Sequence, residues 1–130
     1  MIKDSTEIRR ILVVDDEPDI KPLFLQIFRS EIKKLLIEFD FAFSADEALM
    51  SLSSSNHKDY VLILSDINMP GMSGLDLLRE IKVCYTSINV MIITAFGDAD
   101  NYQKALEYGA DDFLVKPIDF PSLKSKILSI

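Results

Sequence analysis

The chain alternates short, almost wholly apolar runs with longer segments in which apolar residues recur at helical spacing. Such runs are typical of strands that are buried on both faces of a sheet. Three of them are RILVV (10–14), YVLILS (60–65) and INVMIIT (88–94). The run KLLIEFDFAF (34–43) alternates in part, and DDFLVKP (111–117) stops at a proline. We predict five strands at these places.

A helix is predicted after the first strand, where apolar residues form one stripe at helical spacing. These residues are Ile20, Leu23, Phe24, Ile27 and Phe28. Pro22 interrupts the pattern, and a proline inside a helix costs about 3 kcal/mol or more. In the first turn the cost is small, because those N–H groups have no helical partner. The helix is therefore expected to start near residues 18–19.

Four more helices follow the other strands. Ser44 and Glu47 have the spacing of a capping box and open the second helix. Gly109 is expected to end the fourth helix as a C-cap, and Pro121 lies near the start of the last. The segments that contain the remaining helices are LDLLREI (75–81), AFGDADNYQKALEYG (95–109) and DFPSLKSKIL (119–128).

This order of elements is a strand-helix unit repeated five times. It predicts an α/β fold with a doubly wound parallel sheet, right-handed crossovers and helices on both faces. In such open sheets, ligands bind at the carboxyl ends of the strands. The residues that follow each strand are therefore the candidates for chemistry.

Composition narrows the functional classes. The net charge of −7 argues against nucleic acid binding by this segment, because phosphate backbones attract Lys and Arg. No apolar run approaches the roughly 20 residues of a membrane span. Cys84 is the single cysteine, so an internal disulfide is excluded, and neither it nor His57 has metal-ligand spacing. We expect a soluble cytoplasmic protein without membrane contact.

Polar residues stand at four of the five strand ends. Asp15 and Asp16 follow the first strand, Asp66 the third, Thr94 the fourth and Lys116 the fifth. Each has an ordinary structural explanation alone: a helix cap, a turn aspartate, a β-branched strand residue or a solvated lysine. The topology brings all of them to one edge of the sheet. Carboxylates this close need cations, and Lys116 together with Mg²⁺, which takes oxygen ligands, would supply them.

The stretches LVVDDEP, LSDINMPGMSGLDLL, IITA and VKP, in this order and spacing, resemble the receiver domain of two-component response regulators. The resemblance covers about residues 9–128. It implies a flavodoxin-like (βα)5 fold with strand order 2-1-3-4-5. The acidic pair and Lys-Pro are unspecific alone, but the combined set is highly specific.

The resemblance also implies roles for single residues. Asp66 matches the phosphoacceptor, a nucleophile that takes a phosphoryl group from the phosphohistidine of a histidine kinase. Asp15 and Asp16 match the acids that hold Mg²⁺ together with Asp66. The backbone carbonyl of Asn68 matches the remaining protein ligand of the metal. Lys116 matches the lysine that contacts the phosphoryl group.

Two further positions match the family's conformational switch. Thr94 corresponds to the hydroxyl that bonds the new phosphoryl group, and Phe113 to the aromatic side chain that moves inward in response. The signal would then reach the face formed by the fourth helix, fifth strand and fifth helix, where Tyr102 and Phe120 also belong. Asn68 and Phe96 match positions that modulate dephosphorylation. The segment FRSEIKKLLIEF (28–39) is longer than in simple receivers and is expected to extend the first helix.

The resemblance implies partners as well: a sensor histidine kinase or phosphotransfer protein, an output domain or effector protein, and a homodimer on phosphorylation. We expect residues 1–130 to form a single receiver domain, either standing alone or as the amino-terminal part of a longer protein. The similarity of residues 94–120 to receivers that head longer chains favours the longer protein.

Three alternatives stay open. An Mg²⁺-dependent phosphohydrolase would use Asp66 as nucleophile, but it would need a second acid at the position of Asn68. A flavodoxin-like cofactor binder would need a Ser/Thr/Gly-rich loop where the chain has DDEPD. A non-phosphorylated receiver-like module would only bind proteins. As a receiver domain, by contrast, the chain would not be an enzyme beyond its own phosphorylation and dephosphorylation.

Overall fold

The computed structural model describes residues 8–54, 59–95 and 97–130. Five strands form one parallel sheet in the order β2-β1-β3-β4-β5, which confirms the predicted fold class. The strands are β1 (Arg9–Val14), β2 (Ile37–Ala42), β3 (Tyr60–Asp66), β4 (Asn89–Thr94) and β5 (Asp112–Val115). His57, which has no predicted role, lies outside the described residues. The same holds for Phe96, which matches a position that modulates dephosphorylation.

Six helices connect and flank the strands in the described part of the chain. They are α1 (Ile20–Ile27), α2 (Arg29–Lys33), α3 (Ala45–Ser53), α4 (Gly74–Cys84), α5 (Ala99–Glu107) and α6 (Phe120–Leu128). The fourth and fifth helices of the predicted pattern are therefore α5 and α6. None of the six has the length and apolar character that crossing a membrane requires.

The predicted long first helix is instead two helices and a turn. Phe28 departs from helical geometry between α1 and α2, with φ −97° and ψ 17°. Leu35 then takes a positive φ of 59°, and the chain reverses into β2. The expectation that residues 28–39 extend the first helix was therefore wrong beyond Lys33. The alternating residues Ile37 and Phe39 pair with β1 and pack on the core, which stabilises a strand there.

The predicted start and stop signals of the helices are confirmed. Pro22 is the third residue of α1, in its first turn. Ser44 Oγ accepts the Glu47 N–H at 3.0 Å, and Glu47 in turn accepts the N–H of Phe43 at 2.8 Å. Gly109 has φ +93° just beyond α5, a conformation that glycine adopts without strain.

Apolar side chains fill a core on each side of the sheet. Leu12 and Val14 face the helices α3 to α5, whereas Ile11 and Val13 face α1 and α6. The second core contains a cluster of aromatic rings around the fully buried Phe24, whose neighbours are Phe28, Phe39, Phe41 and Phe120. The sheet is thus held between two apolar layers, and its carboxyl edge is fixed relative to the helices.

Candidate functional site

Three aspartates meet at the carboxyl edge of the sheet. Asp15 and Asp16 follow β1, and Asp66 is the last residue of β3, the neighbouring strand. One carboxylate oxygen from each lies within 4.8 Å of the others. Asp15 and Asp66 are only 3% and 4% exposed. The prediction that the carboxyl ends of the strands bring these aspartates together is therefore confirmed.

The carboxylate of Asp15 accepts a backbone hydrogen bond, and it is buried beside two other carboxylates. Its Oδ1 accepts the N–H of Glu17 at 2.9 Å. Burial raises the pKa of Asp15 above the ordinary 3.8, and the negative charges of Asp66 and Asp16 raise it further. The Glu17 N–H and the charge of Lys116 oppose this shift only in part. A cation bound at the cluster would offset the repulsion among these carboxylates.

Lys116 follows β5 and reaches back across the edge to Asp66. Its Nζ donates a hydrogen bond to Asp66 Oδ2 at 3.0 Å. This charged pair joins the ends of β3 and β5, which lie on either side of β4. Burial lowers the pKa of Lys116, but the bond to Asp66 and the surrounding carboxylates outweigh it, and the net pKa lies above 10.5. Lys116 is therefore charged at neutral pH and offsets one of the negative charges.

The backbone around Asp66 is tightly fixed. The N–H of Asn68 donates to Asp66 Oδ1 at 3.3 Å, while the Asn68 side chain is exposed. Ser65 Oγ donates to the Asp66 carbonyl at 3.1 Å. A Cβ at Gly74 would lie 2.1 Å from that same carbonyl oxygen. Only glycine allows α4 to begin this close to the strand that carries Asp66.

The two predicted switch residues lie beside the acidic cluster rather than within it. Thr94 is the last residue of β4 and is 4% exposed, and its hydroxyl donates to the Ala95 carbonyl at 3.0 Å. Phe113 lies on β5, half-buried against the core that α5 covers. Its ring packs on that of Tyr102, with centroids 4.5 Å apart. Thr94 and Phe113 occupy adjacent strands and share one face of the sheet.

A cavity of about 620 Å³ opens next to the acidic cluster. It lies between the start of α1 and the turn that joins β5 to α6, and its lining is mainly apolar. The lining residues are Asp15, Glu17, Ile20, Leu23, Ala95, Lys116, Pro117, Ile118 and Phe120. A ligand in this cavity would contact both an acid of the cluster and the lysine.

The donor set fits a hard divalent cation. Mg²⁺ is bound in proteins through one or two carboxylates and retains several waters, which leaves room for phosphoryl oxygens. Asp15, Asp16 and Asp66 offer three carboxylate oxygens close together. Burial raises the pKa of Asp15, and the neighbouring carboxylates of Asp66 and Asp16 add to the shift. The residues present therefore suit Mg²⁺ better than a soft metal, which prefers Cys or His.

Two contacts that shape the site were not predicted from the sequence: that of Gly74 with the Asp66 carbonyl and that of Tyr102 with Phe113. Gly74 had no role of its own in the sequence motif LSDINMPGMSGLDLL, because its close approach to the Asp66 carbonyl depends on how α4 packs. Tyr102 was placed on the signalling face, but its ring contact with Phe113 could not be anticipated from spacing. The only sequence signal for this contact was that both elements, α5 and β5, carry an aromatic residue on the predicted signalling face.

The fold and the acidic edge define a doubly wound α/β protein with three aspartates clustered at the carboxyl ends of its strands. The sequence profile of the response regulator receiver domain matches residues 11–128. The chain belongs to this family, whose members are signalling domains of two-component systems.

Individual relatives agree with this assignment. The chain is 31% identical over 118 residues to sporulation initiation phosphotransferase F of Bacillus subtilis, covering 91% of this chain and 90% of that protein. It is 35% identical to the transcriptional regulatory protein ZraR of Klebsiella oxytoca, covering 88% of this chain but 24% of ZraR. A response regulator receiver domain protein from Clostridium thermocellum superimposes with a TM-score of 0.82 at 32% identity, covering 94% and 93% of the two chains.

Proposed function

We propose that the chain is a phosphorylation-controlled switch in which Asp66 accepts a phosphoryl group from the phosphohistidine of a histidine kinase or phosphotransfer protein. The observation that carries the proposal is the pairing of Asp66 with Lys116 inside the cluster formed with Asp15 and Asp16. Membership of the receiver family supports the same reaction.

The transfer is a displacement at phosphorus. A carboxylate oxygen of Asp66 forms the new O–P bond while the P–N bond of the donor breaks. The electron pair of that bond stays on the imidazole nitrogen, which takes a proton from solvent. Lys116 lies where its ammonium group can contact phosphoryl oxygens, and the remaining contribution of the protein is positioning.

Mg²⁺ would be held by Asp15, Asp16, Asp66 and the backbone carbonyl of Asn68. When bound, it would neutralise charge on the carboxylates and the phosphoryl oxygens. The fixed backbone around Asp66 supports this arrangement, since the Asn68 N–H and the Asp15 contact with Glu17 orient two of the carboxylates. Without a cation, the negative charge of the cluster would repel the phosphoryl group of the donor.

The phosphorylated state would be relayed through Thr94 and Phe113. Thr94 is the buried end of β4, one strand away from Asp66, and its hydroxyl can rotate toward a new phosphoryl oxygen. Phe113 lies on the neighbouring strand and contacts α5. The face formed by α5, β5 and α6 would then bind an output domain, an effector or a second copy of the chain.

The cavity beside the site supports a protein as the phosphoryl donor. Its apolar residues Ile20, Leu23, Ile118 and Phe120 would contact the partner, while Asp15 and Lys116 lie at the reacting end. A small substrate of a phosphohydrolase would not need this apolar surface. A protein that presents a phosphohistidine next to an apolar face would use both parts.

The proposal is tested by incubating the protein with Mg²⁺ and acetyl phosphate and measuring its intact mass. We expect one phosphate adduct on the wild type and none on Asp66→Asn or without Mg²⁺. Continuous hydrolysis of many phosphoesters would favour the phosphohydrolase instead. The absence of any adduct would favour a module that only binds proteins.

A further inference from the structure

We infer that Tyr102 is a positioning residue that holds Phe113 in its resting place and so sets how readily Asp66 takes up a phosphoryl group. This inference rests on the proposed function and adds to it a residue of α5. The ring centroids of Tyr102 and Phe113 are 4.5 Å apart, with an angle of 45° between the ring planes. The contact joins a helix to a strand on the face proposed to carry the signal.

A cavity of about 260 Å³ lies next to this contact and adjoins the switch hydroxyl. Its described lining residues include Thr94, Val115 and Tyr102, and it is almost entirely apolar. Phe113 is not one of its lining residues, so its ring lies outside the cavity in this structure. This cavity is open to solvent, and its volume exceeds the roughly 150 Å³ in which an enclosed apolar cavity holds benzene. By volume, an aromatic ring fits beside Thr94.

The strand register gives Phe113 access to that space. Ile92 pairs with Phe113 and Thr94 with Val115 across β4 and β5, so Phe113, Thr94 and Val115 share one face. Tyr102 contacts the Phe113 ring and also forms a wall of the cavity. A Phe113 ring inside the cavity would meet Tyr102 in a different arrangement, so the present contact would have to be given up or remade.

The ring contact therefore favours the state in which Phe113 lies outside the cavity. An aromatic pair stabilises its arrangement enough to change an equilibrium roughly three- to tenfold. A ligand that binds one state gains apparent affinity in proportion to the population of that state. Loss of the Tyr102 ring should thus make a phosphoryl group at Asp66 easier to accommodate.

The exposure of Tyr102 makes it testable without loss of the fold. Its side chain is 44% exposed, and Leu106, one turn further along α5, is 45% exposed. Leu106 has a comparable position on the helix surface but is not a lining residue of the cavity. Leu106→Ala is therefore a matched control, and Tyr102→Phe keeps the ring while removing the hydroxyl.

The probe is beryllium fluoride with Mg²⁺, which mimics a phosphoryl group on a carboxylate. We expect Tyr102→Ala to reach half-saturation at a beryllium fluoride concentration roughly three- to tenfold lower than the wild type. Tyr102→Phe and Leu106→Ala should match the wild type. In a Phe113→Leu background, Tyr102→Ala should have no further effect. Tyr102→Leu is the second variant if Tyr102→Ala folds poorly.

A fluorine signal reports the contact directly. In protein labelled with 3-fluorotyrosine, the resonance that disappears in Tyr102→Phe should shift on binding of the complex in the wild type, but not in Phe113→Leu. Equal affinities for Tyr102→Ala and Leu106→Ala, or weaker binding by Tyr102→Ala, would overturn the inference while leaving the proposed function intact. A wild type that binds no beryllium fluoride would overturn both.

Discussion

The ammonium nitrogen of Lys116 lies 3.0 Å from Asp66 Oδ2, although fifty positions separate the two residues in the chain. Lys116 is thus the cation that the fold itself provides at the acidic edge. We predict that Lys116→Met slows phosphate uptake from acetyl phosphate by about 10²-fold, the usual cost of removing one charge-stabilising donor. The rate is measured by intact mass over time.

The same variant separates a role at the phosphoryl group from a role in metal binding. Removing a positive charge from the cluster should leave Mg²⁺ affinity unchanged or increase it, because the metal no longer competes with an ammonium group. A Lys116→Met protein that loses Mg²⁺ binding, measured by calorimetry, would contradict the assigned role of Lys116.

A second prediction concerns the repulsion among Asp15, Asp16 and Asp66. Mg²⁺ at 100 times its Kd should stabilise the wild type by about 2.7 kcal/mol, because it binds only the folded cluster. Asp16→Asn should lose most of this increment. Without metal it should be more stable than the wild type, because one like charge is gone. Thermal unfolding with NaCl at matched ionic strength measures both effects, and equal Mg²⁺ shifts in the two proteins would argue against the site.

A third prediction concerns Gly74, whose added Cβ would lie 2.1 Å from the Asp66 carbonyl oxygen. The atoms nearest to this Cβ are all backbone atoms of Asp66 and Ile67, so the strand or α4 must move. We expect Gly74→Ala to lower the free energy of unfolding by about 1–3 kcal/mol or more, and to slow phosphate uptake because Asp66 is displaced. Urea unfolding and intact mass measure the two effects.

Gly109→Ala provides the control for Gly74→Ala. Gly109 has φ +93° and lies beyond the far end of α5, so alanine there introduces backbone strain of about 1–2 kcal/mol without touching Asp66. It should lose stability but keep the wild-type rate of phosphate uptake. If both variants slow uptake equally, loss of stability rather than contact with Asp66 explains the effect.

A fourth prediction concerns pH and the pair that joins β5 to α6. Lys126 Nζ lies 2.6 Å from Asp112 Oδ2. Burial acts to raise the pKa of Asp112, but the bonds from Lys126 and the Phe113 N–H outweigh it, and the net pKa lies below 3.8. The carboxylate therefore stabilises the fold above about pH 4, and this contribution is lost as pH falls through the lowered pKa.

The pair is partly exposed, so its contribution should not exceed about 1 kcal/mol. The difference in unfolding free energy between wild type and Asp112→Asn should be present at pH 6 and shrink below about pH 4. Lys126→Met should show the same dependence. A difference that grows as the pH falls would have the wrong sign for this account.

The sequence predicted the sheet and the meeting of the acids with Lys116, because strand ends follow directly from apolar runs and parallel topology. It did not predict the break at Phe28 or the reversal at Leu35, because the residues around them have apolar spacing compatible with either a helix or a strand. Tertiary packing of Phe39 decided between them. The roles of Gly74 and Tyr102 depend on distances between elements, which spacing along one chain does not contain.

The most direct test of the central claim is to identify the residue that carries the phosphoryl group. The protein is incubated with Mg²⁺ and acetyl phosphate, then treated with borohydride, which reduces an aspartyl phosphate to homoserine. Peptide mass spectrometry locates the product. The account predicts homoserine at position 66 and at no other aspartate, with none formed when Mg²⁺ is left out. Homoserine at Asp15 or Asp16, or its absence from a protein that has taken up phosphate, would contradict it.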